Sequence, residues 1–119
     1  MNIAYGADPP RKLQAQRLTG SIKIDGVPDD EAWATAPVAD KFIEWRPTFG
    51  VQESFTNRTE VKVLYDNTAI YIAGYCHEQT ADSVSRELAG RDKVGSNDFV
   101  GVIFDTYYDK INASGFYVT

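Results

Sequence analysis

Hydroxylated rings are recognised by two kinds of side chain. A flat aromatic stacks on the C–H face, and planar polar groups read the hydroxyls around the rim. Trp45 has the first character and lies beside Arg46 and Pro47 at the end of an apolar run. Tyr107 and Tyr108 share it, next to a turn that carries Asp109 and Lys110. Arg91, Asp92, Asn97 and Asp98 supply donors and acceptors of the second kind. Each also has an ordinary structural role open to it. Trp45 can pack in a core, the two tyrosines can cover a sheet edge, and the Arg91–Asp98 group can cap and tie a loop.

Asp25, Asp29, Asp30, Glu31 and Glu78 are oxygen donors of the type calcium takes, but their spacing matches no EF-hand loop. Helix capping accounts for Asp29 to Glu31 without a metal. Calcium at Asp25, Asp29 and Glu78 is therefore admitted, and no cofactor is required. A glycosidase needs two carboxylates facing one another across a cleft. Among 17 acidic residues no pair stands out by spacing, so the expectation is a protein without catalytic residues. A single cysteine, Cys76, excludes an internal disulfide and a thiolate zinc cluster, and its apolar surroundings point to a buried small hydrophobe. His77 cannot pair with it on a strand, where neighbours face opposite sides. With Met1 the only methionine and His77 the only histidine, haem ligation is disfavoured.

These residues must be positioned by a chain of 119 residues, the length of one domain, with 43% apolar and 24% charged residues. Twelve basic against 17 acidic residues give a net charge of −5, which argues against a nucleic-acid partner. Residues 1–10 read as an extended leader ahead of a domain over 11–119. Alternation predicts short strands at 12–18 and 21–25. Asp29 is placed to cap a helix of about two turns that holds Ala32, Trp33 and Ala36 and stops at Pro37, with Trp33 its core anchor. A strand is expected at 42–46, a polar loop at 48–58, and a hairpin of residues 59–65 and 69–76 about Asp66-Asn67-Thr68. A helical turn is expected near 82–88, a strand apolar on both faces and deeply buried at 99–107, and another from 115 to 119. The runs at 61–65, 70–76 and 100–107 are expected to be neighbouring antiparallel strands. The fold class is all-β: an antiparallel, jelly-roll-like β-sandwich with one short helix. Because the last apolar strand is still running at Thr119, the expectation is a longer polypeptide whose remaining strands follow. The open sheet edge would then be covered by that remainder or by a second copy.

The string Ile22-Lys23-Ile24-Asp25-Gly26-Val27-Pro28-Asp29-Asp30-Glu31-Ala32-Trp33 resembles the opening of the family 9 carbohydrate-binding modules. Three further blocks match in order: Thr59-Glu60-Val61-Lys62-Val63-Leu64-Tyr65-Asp66, Ala69-Ile70-Tyr71-Ile72, and Asn97-Asp98-Phe99-Val100-Gly101-Val102-Ile103-Phe104-Asp105. Arg91-Asp92 and Asp105-Thr106-Tyr107 look closer to a subgroup in bacterial outer-envelope proteins, where the module precedes a C-terminal domain of unknown function expected to be a membrane barrel. The resemblance implies a sandwich of the DOMON-like type and a secreted precursor acting in the periplasm, at the outer membrane or on the cell surface. It also implies a saccharide ligand held without catalysis, in support of carbohydrate breakdown by an attached protein, with structural calcium seen in some members. Sugar-binding members carry a Trp near Gly95, a Glu at Gly101 and an Arg at Tyr117, and those three groups are replaced here. The alternative implied by the replacements is an interaction domain that docks on a membrane barrel without binding sugar.

Overall fold

The computed structural model describes residues 11–80 and 98–119. The leader at 1–10, the helical turn at 82–88, and Arg91, Asp92, Gly95 and Asn97 lie outside the described residues. The chain is all-β, with strands β1 (Gln16–Arg17), β2 (Val38–Ala39), β3 (Thr59–Tyr65), β4 (Ile70–Cys76), β5 (Val100–Phe104) and β6 (Ser114–Val118). A one-turn helix α1 (Glu31–Ala34) and a 3-10 turn (Phe55–Asn57) are the helical elements among the described residues. Contacts divide the chain into two units, Met1–Cys76 and His77–Thr119.

In the first unit β3 is the central strand. β4 pairs with it antiparallel along its whole length, from Thr59↔Cys76 to Tyr65↔Ile70. Its other edge is shared by β2, antiparallel at Val61 and Lys62, and β1, parallel at Leu64 and Tyr65. Side chains alternate across a strand, so Lys62 and Leu64 share a face with their partners Ala73 and Tyr71. That face is the core. Leu64 is 1% exposed and packs with Ala32, Trp33 and Ala36, while Leu18, Ile22, Tyr71 and Ala73 close the edges. Trp33 is 5% exposed, as its role of anchor requires. The Lys62 ammonium donates to the Trp33 carbonyl at 2.8 Å, tying helix to sheet through a carbonyl that also accepts from the Ala36 N–H at 3.3 Å.

Several expectations are corrected here. The helix is one turn rather than two. Asp30, not Asp29, occupies its N-cap, and the Asp30 carboxylate accepts from the Lys23 N–H instead of capping the helix. Of the strand expected at 12–18 only Gln16–Arg17 pairs, and residues 21–25 form none. The strand expected at 42–46 is reduced to one bridge, Ile43↔Gln52. Cys76 is exposed, because it ends β4 beyond the reach of the core.

The β3–β4 turn is organised by one carboxylate. Asp66 Oδ1 accepts from the Thr68 N–H at 2.7 Å, the Thr68 hydroxyl at 2.9 Å and the Ala69 N–H at 2.8 Å. Its Oδ2 accepts from the Tyr71 hydroxyl at 2.9 Å. These donors, the Thr68 N–H foremost, lower the Asp66 carboxyl from 3.8 to about 2. A carboxyl depressed by folding stabilises the native state above its unfolded value, and this contribution disappears as the pH falls through the folded value. The urea midpoint of the parent is therefore expected to drop between about pH 4 and about pH 2. Asp66→Asn should lower the neutral-pH midpoint and remove this part of the acid drop. Parallel acid profiles for parent and variant would refute the assignment.

In the second unit β5 and β6 form a two-stranded antiparallel sheet, so 100–107 does not continue the β3–β4 sheet as expected. Nor is the strand deeply buried. Val100, Val102 and Phe104 are half-buried, whereas Phe99 and Ile103 are exposed. The strand ends at Phe104 because Asp105 turns the chain: its carboxylate accepts from the N–H groups of Asp109 and Lys110 at 3.1 and 3.0 Å. Gly101 pairs directly with Tyr117. A Cβ on Gly101 would stand 2.7 Å from the Tyr117 ring, so the ring occupies the space that a side chain at 101 would fill. Phe99 meets the same ring edge-on at 5.6 Å.

Candidate functional site

Residues 42–53 double back as an irregular hairpin. The Glu44 N–H donates to the Val51 carbonyl at 2.7 Å, and the Glu53 N–H to the Phe42 carbonyl at 2.9 Å. At the tip the Gly50 N–H donates to the Glu44 carbonyl at 3.0 Å. Gly50 has a φ of 87°, a left-handed conformation that suits glycine. The base is fastened by Glu53, whose two carboxylate oxygens accept from the N–H groups of Phe42 at 2.9 Å and Thr59 at 2.7 Å.

This scaffold presents aromatic rings to solvent. Trp45 is 70% exposed, and Phe49 meets it edge-on with centroids 5.2 Å apart and planes at 82°. Core packing, the structural alternative for Trp45, is therefore not its role. Phe55 projects nearby in sequence under the Arg58 guanidinium, 4.4 Å from its ring centroid. Beside the hairpin lies an open cleft of about 430 Å³ lined by Phe42, Ile43, Glu44, Glu53, Ser54 and Asn57. Its volume falls within the usual range for small-molecule sites. The residues around it that carry chemistry, Glu44, Ser54 and Asn57, are not among the sequence candidates, since 42–46 reads as a strand and 48–58 as a polar loop. The signal in the sequence is the recurrence of aromatics at 42, 45, 49 and 55.

The remaining candidates lie elsewhere. Asp98 is exposed just before β5, in the second unit. Tyr107 and Tyr108, 78% and 87% exposed, stand on the loop between β5 and β6. That loop is tied by Asp105 and by Asp109, whose Oδ1 accepts from the N–H groups of Ile111 and Asn112 at 2.9 Å each. These donors, Asn112 first, hold the Asp109 carboxyl below the usual range. Arg91 and Asn97 are outside the described residues.

Nothing matches the chain among protein-family models, curated proteins or solved structures. Its chemistry must therefore be argued from the residues themselves.

Of the three calcium candidates, Asp25 and Asp29 belong to the first unit and Glu78 to the second. Asp25 caps a turn: Oδ1 accepts from the Val27 N–H at 3.0 Å and Oδ2 pairs with the Lys23 ammonium at 3.0 Å. The Val27 N–H and then Lys23 lower its carboxyl from the ordinary value. Among the described residues no three His, Cys, Asp or Glu side chains gather closely enough to hold a metal ion.

Proposed function

We propose that this chain is a non-catalytic saccharide-binding module of an exported bacterial envelope protein, with the Trp45 hairpin as its contact surface. In this reading the domain is a β-sandwich resembling the family 9 carbohydrate-binding modules and holds glycan for a larger polypeptide in the periplasm or at the cell surface. The observation that carries it is the exposed Trp45 ring, buttressed by Phe49 on a backbone-bonded hairpin beside an open cleft whose lining includes Glu44, Ser54 and Asn57. A large ring held out in water has little to gain from the fold, and its flat face suits the C–H face of a pyranose.

One stacking ring contributes on the order of 0.5–1.5 kcal/mol. Simple mono- and disaccharides are accordingly expected to bind no tighter than about millimolar. Trp45→Ala should weaken that binding roughly two- to tenfold and leave the urea midpoint unchanged. Titrations with glucose, cellobiose and xylobiose test both points. Micromolar affinity that survives Trp45→Ala would overturn the placement of the site.

A second reading is an interaction domain docking on a membrane barrel without sugar. It is favoured by the exposed Phe116 and Val118, which share one face of the β5–β6 hairpin. A glycan array with the complete polypeptide separates the two.

A further inference from the structure

We infer that the cleft beside the Trp45 hairpin selects its saccharide by charge: Glu44 favours a sugar carrying a protonated amine and disfavours one carrying a carboxylate. This deepens the saccharide reading and rests on it.

The lining of the cleft contains two carboxylates, one hydroxyl and one carboxamide, and no Lys, Arg or His. The two carboxylates are not equivalent. Glu53 is committed to the scaffold through both oxygens, on the N–H groups of Phe42 and Thr59, and contributes a fixed negative charge to the wall. Glu44 is fixed only through its backbone, whose N–H donates to Val51 and whose carbonyl accepts from Gly50. Among the described residues its half-buried side chain has neither a hydrogen-bond partner nor an ion-pair partner. The guanidinium of Arg58, next in sequence to Asn57, does not line the cleft and is engaged with the Phe55 carbonyl at 3.1 Å and with Glu60 at 3.6 Å. The cleft thus offers an acceptor with no protein partner among the described residues, beside a second carboxylate held in place by two backbone N–H groups. A carboxylate-bearing sugar would meet like charge on two sides. A neutral sugar can give Glu44 two hydroxyl hydrogen bonds. An ammonium group adds a charge-assisted bond to the same oxygens. Ser54 and Asn57 complete the rim with neutral groups that discriminate little by charge.

The test uses glucosamine oligomers, their N-acetylated forms and glucuronate oligomers, titrated at low ionic strength. About pH 6 keeps the sugar amine protonated. An ion pair in an open cleft is worth up to about fivefold in affinity, so the glucosamine oligomers should bind up to about fivefold tighter than their N-acetylated forms. Glucuronate oligomers should bind weakest. High salt should compress the order in the unmodified protein, a measurement that needs no variant. Glu44→Gln should level amine and N-acetyl forms, while Trp45→Ala should weaken both alike. Equal binding of all three classes, or an order that neither salt nor Glu44→Gln changes, would overturn the charge selection and leave the saccharide reading standing. Absence of binding to any of them would remove both.

Discussion

Trp33→Ala is expected to destabilise the protein by about 3–5 kcal/mol, the usual cost of truncating a large buried aromatic. The helix that carries Trp33 is four residues long, too short to persist by its own hydrogen bonds, and the side chain of its N-cap makes no bond to the helix. What keeps it on the sheet is the 5% exposed indole against Leu64, together with the Lys62 bond to the Trp33 carbonyl. The backbone bond survives the substitution, but the burial does not. A loss of that size approaches the whole stability of a small domain, so the variant should be largely unfolded in mild urea. Trp33→Phe, which keeps most of the apolar volume, should fall between parent and alanine variant. A urea midpoint for Trp33→Ala within error of the parent would show that the helix is held by something else.

The legible part of the sequence is the part whose contacts are local. Residues 59–65 alternate, Asp66-Asn67-Thr68 carries turn chemistry, and residues 70–76 return, so strand and turn signals lie side by side and the hairpin forms where they predict. The strands β5 and β6 are legible one by one but their pairing is not, and β5 stops short at Asp105, whose carboxylate captures two backbone N–H groups. What could not be read is pairing at a distance. β1 and β2 are two residues each, and they are strands only because Tyr65 with Leu64, and Val61 with Lys62, offer them partners. Residues 21–25 alternate just as well and find no strand partner among the described residues, which is why strand propensity without a neighbour decides little. The choice of core face was equally hidden. Val61 and Val63 look the more apolar pair, yet the buried face is the one with Lys62 and Leu64, because that is the side on which Trp33 arrives. At the candidate site Trp45 was legible as a ring beside Arg46 and Pro47. Glu44, Ser54 and Asn57 join it only through the doubling back of 42–53, a backbone geometry with no alternating pattern to announce it.

Leu64→Ala is expected to cost about 2–5 kcal/mol, for a reason tied to the first substitution. Leu64 is the most deeply buried large side chain described, and its neighbours in the core are Ala32, Trp33 and Ala36. Two of those are alanines, which have no side chain to swing into a vacated space, so the site can collapse only by moving the helix. The cost should therefore include a cavity as well as lost burial. Val63→Ala on the opposite face of β3, where the residue is half-buried, should cost less. Because Trp33 and Leu64 pack on one another, removing one already loosens the contacts of the other, and the two losses should not add. The double variant is expected to be less destabilised than the sum of the singles by roughly 0.5–3 kcal/mol. Urea midpoints of the four proteins close the cycle. Strict additivity would mean that Trp33 and Leu64 belong to separate cores, and the helix would then need another anchor.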